Sequence, residues 1–377
     1  MEEVIIVGGG IGGLALAAAL HKQGKEVRVL EAAPKLEPIG AGILLAHNAQ
    51  AALAHLGVLE EIAPRGHALE QGRGYAHTGK ALSTYGVAEG RRPWLSIHRG
   101  QLQQGLLAQA NQERVTLHAA VTAVNLADNG VELLTQAGDQ FTAQRVIAFD
   151  GIHSAVRQAV APTIATRYAG YTCWRGVARG YRVPNPTEFS ESTGRGTRFG
   201  IVPLGKEETY WFACANAPRK SARHGAMGAA DLLHEYFGDF HAPVPALLQH
   251  TDQVYWGDIE DIPPPEKLHY GSVILAGDAG HATTPNLGQG AGMALEDAAV
   301  LFSLLQKDIA WEEVGRQFEA LRLARTQWVT KNSWQFGKVA QWQNPVAVSL
   351  RNLITRATPS RVIEKQMRKL AQVQFEA

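Results

Sequence analysis

Val4-Ile5-Ile6-Val7 leads straight into Gly8-Gly9-Gly10-Ile11-Gly12-Gly13 and then into an Ala- and Leu-rich stretch from Leu14 to His21, and no other feature constrains the fold of this chain as much. A short β-branched apolar run is the pattern of a strand buried on both faces. Ala and Leu are strong helix formers, so Gly8, Gly10 and Gly13 fall in the tight turn between strand and helix. Side chains there would hold a diphosphate away from the backbone, whereas a bare helix N-terminus presents unpaired N–H groups and partial positive charge. Glu26-Val27-Arg28-Val29-Leu30 reads as the second strand and ends at Glu31, whose carboxylate can accept from a ribose hydroxyl. The unit predicts an adenine-dinucleotide site on a parallel α/β sheet, and by itself it serves NAD and FAD alike.

Two further strands end at carboxylates. Val146-Ile147-Ala148-Phe149 precedes Asp150-Gly151-Ile152-His153-Ser154-Ala155-Val156-Arg157, and Val273-Ile274-Leu275-Ala276 precedes Gly277-Asp278-Ala279-Gly280-His281, which runs on to Pro285-Asn286-Leu287-Gly288-Gln289-Gly290. Ligands of open α/β sheets bind at the carboxyl ends of strands, so Asp150 and Asp278 are positioned to meet the ligand held at Gly8. A helix from Ala291 to Leu305 follows, and its first turn suits negative charge. No second GxGxxG follows the first, so one nucleotide domain must suffice.

In this order and at these separations the three segments resemble the single-component (class A) FAD-dependent aromatic hydroxylases. The resemblance implies FAD as cofactor, NADH or NADPH and O2 as co-substrates, and hydroxylation of an aromatic or heteroaromatic small molecule through a C4a-hydroperoxyflavin. It implies that Asp278 meets the ribityl chain and that Pro285, Gly288, Gln289, Gly290, Ala291 and Gly292 surround the isoalloxazine. The Asp150 segment with Arg157 would serve FAD and NAD(P)H, and Arg99, Val121 and Gly42 within Gly40-Ala41-Gly42-Ile43 would lie beside the cofactor. Gly292 departs from the asparagine of several relatives. Arg198, Tyr210 and the span Arg167 to Tyr171 with Trp174 are similar to the bacterial FAD-dependent urate hydroxylases and, less closely, to zeaxanthin epoxidases. In the urate enzymes the matching arginine and tyrosine are active-site residues. Asn286 stands where those enzymes carry aspartate, and an amide cannot act as a base.

The implied fold class is α/β. A Rossmann-like FAD-binding domain of the GR2 type would comprise residues 1–69, 96–165 and 270–310, with an inserted antiparallel β-sheet substrate domain at 70–95 and 166–269. A helical C-terminal region would run from 311 to 377. Gly200 to Leu204 and Thr209 to Ala213 read as antiparallel neighbours across the Gly205 turn, so Arg198 and Tyr210 share a face by parity. They serve either as active-site residues or as ordinary strand residues whose polar tips reach solvent. Trp174, Phe199, Phe212 and Asn286 are the expected substrate-pocket residues.

Net charge of +1 gives no case for nucleic acid, and the histidines and cysteines form no metal-ligand pattern. Cys173 and Cys214 are too few for a disulfide framework and read as buried or pocket-lining thiols of a reducing, cytoplasmic compartment. Met1-Glu2-Glu3 carries no secretory pattern, and no apolar run is long enough to span a bilayer. The basic run Arg351, Arg356, Arg361, Lys365, Arg368 and Lys369 could touch an anionic membrane surface, but reads first as a solvated helical face. His281 is expected to shape the turn after Asp278, and Glu296 and Asp297 to cap or salt-bridge their helix. Rival readings on this fold are a flavin reductase, a redox-neutral flavin isomerase, and a flavoprotein that binds a partner. The expected partner is a small aromatic molecule, with oligomeric state left open.

Overall fold

The structure is a computed structural model that describes residues 2–36, 41–87, 91–127, 130–221 and 227–376. Its first layer is a sheet in the order His269–Tyr270, Val273–Leu275, Gln140–Ala148, Glu2–Val7, Arg28–Leu30, Val115–Thr116, all parallel except the first pair. Ile5, Ile6, Val146, Ile147, Ile274 and Val29 are buried on both faces, as their unbroken apolar runs require. The helix Ile11–Lys22 packs on one side with Gly290–Leu305 beside it, and Gly12 and Gly13 permit the close fit. A Cβ at Gly13 would stand 2.1 Å from Gly8 O, and one at Gly12 would stand 2.5 Å from the Phe149 ring.

The second layer is a seven-stranded sheet ordered Val254–Asp261, Arg167–Arg179, Glu208–Asn216, Thr197–Pro203, Glu188–Thr193, Gln71–Ala76, Ala81–Gly86. It is antiparallel except where Gln71–Ala76 runs parallel to Glu188–Thr193. The helices Ala229–Phe237 and Val244–Gln249 cover one face, and Leu232, Phe237, Val244 and Leu247 meet Trp174, Phe199 and Trp211 there in an apolar core. Gly42–Leu45, Trp94–His98 and His67–Leu69 form a small third sheet. The strand Trp94–His98 crosses the expected domain boundary at 95/96. Trp311–Ala340, Pro345–Ala357 and Ser360–Ala371 are helices, as the charged C-terminal sequence predicts.

Candidate active site

The parallel sheet brings the three glycine-bearing segments to one edge. Gly8 N–H donates to Leu30 O at 2.7 Å, with Gly8 at φ +107°, and its missing Cβ would meet Phe149 O at 2.3 Å. Only glycine fits that crossing. Gly9 N–H donates to Glu31 Oε2 at 2.6 Å, so Glu31 holds the turn at its second glycine, while Gln103 Nε2 donates to Gly9 O at 2.7 Å. A Cβ at Gly290 would lie 4.0 Å from Asp278 Oδ1, which joins the end of one strand to the start of the long helix. Gly10, Gly151 and Gly288 face open space, with nothing within 4 Å of a Cβ.

Asp278 is exposed at the start of the short helix that follows its strand. The enclosing protein raises its pKa by desolvation, opposed by His281, Arg99 and Arg157. Burial raises Asp150 as well; its Oδ2 accepts from Val156 N–H at 3.2 Å, and its Oδ1 has no partner among the described residues. Arg157 is buried and donates to Ala279 O at 3.0 Å and to Ile152 O, which ties the Asp150 segment to the Asp278 segment. Arg99 opens a helix, its N–H bonded to Ala41 O at 3.0 Å, and Val121 begins the strand Val121–Ala127. Gly40 lies outside the described residues. Pro285 is exposed in a short turn that ends at Gly288, φ +63°, and Gly290 through Gly292 start the long helix. A bare glycine edge, an unpaired carboxylate oxygen and a helix N-terminus above the ends of four parallel strands fit an adenine dinucleotide such as FAD.

Behind this edge lies a buried charge network that sequence reasoning missed. Asp297 accepts from Gly277 N–H at 2.7 Å, His281 Nε2 at 2.5 Å and Arg322 Nε at 2.6 Å. Burial opposes its ionisation, yet His281 and Arg322 together draw it down to about 2. Glu296 pairs with Arg322 Nη1 at 2.6 Å and Arg325 Nε at 2.5 Å. Asn48 Nδ2 bridges Glu296 and Gln289 at 2.6 and 2.8 Å and occupies the space that a side chain at Gly292 would need, 2.7 Å from its Cβ. Glu296 and Asp297 therefore salt-bridge their helix from its second turn, the second of their two expected roles, and do not cap it, while His281 holds the turn as expected.

On the antiparallel sheet Arg198 pairs across from Cys214, and Val202 from Tyr210, so Arg198 and Tyr210 do share a face. Tyr171, Cys173, Arg175 and Phe212 share it too. Tyr210 packs against Gly42, where a Cβ would be 2.5 Å away, which sets this face against the small third sheet. Trp174 and Phe199 lie on the opposite face, in the core under the helices, so neither is part of the pocket. The reason is strand alternation: Phe199 neighbours Arg198 and must point the other way.

Arg198 is 2% exposed, so its tip does not reach solvent. Its Nε faces Glu191 Oε1 at 3.2 Å without hydrogen-bond alignment, its Nη2 reaches Cys214 Sγ at 3.9 Å, and its Nη1 has no partner among the described residues. Burial is the largest influence and works against its charge, but Glu191, Cys214 and Tyr171 together outweigh it, so the guanidinium stays protonated. The Tyr171 ring lies 5.8 Å from it, and Tyr171 Oη donates to Asn286 Oδ1 at 3.0 Å. Asn286 Nδ2 in turn donates to Thr284 Oγ1 at 2.9 Å and Ser333 O at 3.0 Å. Tyr210 is raised by burial, against a hydrogen bond from Arg175, and is neutral at physiological pH. Cys173 and Cys214 are free, buried and opposite one another; their mutual hydrogen bond, helped by Arg175 and Arg198, lowers the first against burial, while the same bond and burial raise the second against the two arginines.

A family model described as FAD binding domain matches residues 1–333. The aurachin C monooxygenase/isomerase of Stigmatella aurantiaca is 35% identical over 97% of both chains. The 2-heptyl-3-hydroxy-4(1H)-quinolone synthase of Pseudomonas aeruginosa is 32% identical over 95% of this chain and 94% of its own. Among solved structures, Klebsiella pneumoniae HpxO complexed with FAD and uric acid superposes with a TM-score of 0.88 at 27% identity, covering 98% of this chain and 96% of the other.

Proposed function

The chain belongs to the FAD-binding domain family and is a class A FAD-dependent monooxygenase, and from that premise we propose that it uses NADH or NADPH and O2 to hydroxylate a planar N-heteroaromatic ring bearing an enolic or anionic oxygen. The observation that carries the reading is Arg198, a buried charged guanidinium with an unpaired donor on a face lined by Tyr171, Phe212 and Tyr210. A buried donor without a partner is costly, and a negatively polarised ring oxygen would satisfy it with a charge-assisted hydrogen bond. Such a bond stabilises the enolate form and so raises electron density on the ring. Tyr210, kept protonated, can donate to the ring or orient it, while Arg175 fixes its phenol. When bound, FAD supplies the redox chemistry between nicotinamide, O2 and substrate. Gly8, Gly10, Gly13, Glu31, Asp150 and Asp278 would hold it, with Gly288 to Gly292 at its ring. Tyr171, Phe212 and the buried thiols keep water from the substrate face, which protects a water-sensitive oxygen transfer.

Asn286 separates two ring classes. Both of its amide functions are spent on Tyr171, Thr284 and Ser333, so it contributes no acid–base group to the pocket. A purine such as urate, matched in its own enzymes by an aspartate at this place, fits less well than a ring of the 4-quinolone type named for the Pseudomonas relative. The test is NAD(P)H oxidation and O2 uptake by the FAD-loaded protein with 2-heptyl-4(1H)-quinolone, urate and simple phenols. The quinolone should stimulate both and yield a product heavier by one oxygen. Oxidation that no ring stimulates, with all O2 recovered as peroxide, would overturn the proposal.

A further inference from the structure

The outward face of the Pro345–Ala357 helix is apolar. Val346, Leu350, Leu353 and Ile354 are 76, 51, 57 and 57% exposed, at the spacing that lines up one stripe of a helix. The inward face buries Val348 beside an arginine: Arg351 donates from Nη1 to Ala340 O at 2.6 Å and from Nη2 to Gly194 O at 3.0 Å. These buried bonds fix the helix with its leucines outward, the reverse of a helix seated on a protein core. Phe336, Val339 and Trp342, 50, 39 and 36% exposed, add apolar surface where the preceding helix ends. Of the basic run, Arg351 alone departs from the solvated face that the sequence suggests; the other five cations are exposed.

Cations accompany the stripe. Arg356, Arg361, Lys365, Arg368 and Lys369 are exposed on this helix and the next, and both helices pack against Ala81–Gly86. From residue 345 to the end the sequence holds six Lys and Arg against two Glu, a net +4, in a chain whose total is +1. We propose that this surface docks on an anionic lipid bilayer, with the Pro345–Ala357 helix lying in the interface plane, its stripe at the acyl boundary and the cations among the headgroups. Among the described residues no helix is long and apolar enough to cross a membrane, so the chain would lie on the bilayer. A second copy of the chain is a poorer occupant, because two-fold pairing sets the same cationic patch against itself. The docked surface adjoins the substrate face. Trp342 O accepts from Gly196 N–H at 2.8 Å, and Arg351 holds Gly194 O, both in the hairpin that leads into Arg198.

The test is flotation of the FAD-loaded protein with vesicles of phosphatidylcholine alone or mixed with phosphatidylglycerol. Wild-type protein should float with the mixed vesicles, remain behind with pure phosphatidylcholine, and be released by high salt. The Leu350→Asp/Leu353→Asp variant, with FAD content and melting temperature unchanged, should bind at least about tenfold more weakly. Failure of the wild type to float with anionic vesicles, or equal flotation of the variant, would overturn the proposal. So would a dimer without vesicle affinity that the variant splits into monomers, since it would assign the stripe to a second copy.

Discussion

Arg322 and Arg198 are both fully buried guanidiniums, at 1 and 2% exposure, and they sit in opposite circumstances. Arg322 meets Asp297, Glu296 and Met293 O, so each of its nitrogens has an acceptor. Arg198 has a misaligned carboxylate on one edge, a thiol at 3.9 Å and an unpaired Nη1. A buried charge is tolerated when its partners are in place, and breaking such a set leaves carboxylates stranded. The first arginine thus belongs to the framework behind the glycine turns, and the second has a donor that no described residue satisfies. Burial alone would have graded them equal; the bonding around them separates structure from site.

The comparison can be broken in four ways. Arg322→Met takes a buried cation from both Asp297 and Glu296, leaving them to His281 and Arg325, and should cost about 3 kcal/mol of stability, read by chemical denaturation, with FAD lost from the purified protein. Arg198→Met should leave stability within about 1 kcal/mol while kcat/KM for the substrate falls about 100-fold, the loss of a charge-assisted bond of some 2–3 kcal/mol. A variant that melted early yet kept normal kcat/KM would reverse the two roles. Acid gives a third handle. Asp297 is held at about 2 in the fold, below the ordinary 3.8, so its contribution is whole above about pH 4 and is lost as pH falls toward 2. That contribution is on the order of 2 kcal/mol and should shrink in the pH–stability curve of Arg322→Met, where His281 and Gly277 still hold Asp297. The smallest effect is expected from Tyr171→Phe, which removes the bond to Asn286 and should cost about 1 kcal/mol in stability.

The cofactor edge was legible because its signal is local. Strand, glycine turn, helix and acid follow one another within the first 31 residues, and Asp150 and Asp278 repeat the strand-then-carboxylate pattern. The shared face of Arg198 and Tyr210 followed from parity in the same way. Trp174 and Phe199 were placed by residue type instead of parity, and the alternation of the strand put them in the core. The same alternation, applied from Arg198, would have brought in Cys214 and its neighbours Tyr171 and Arg175. The Arg322 network carried no local mark, since its members come from Asn48, Gln289, the Glu296–Asp297 pair and the Arg322–Arg325 turn, and a charged helix reads as surface until its neighbours are known. The C-terminal helix misled for a related reason: Arg351 is held inward by backbone carbonyls that no sequence pattern reveals.

The most direct measurement is mass spectrometry of product formed under 18O2 by the FAD-loaded protein with NADH or NADPH and 2-heptyl-4(1H)-quinolone, run in parallel on wild type and Arg198→Met. One 18O atom in the wild-type product, with product nearly absent from a folded, FAD-replete Arg198→Met, is the predicted result. Unlabelled product, or equal labelled yield from the two proteins, would contradict the assignment of Arg198 to the substrate.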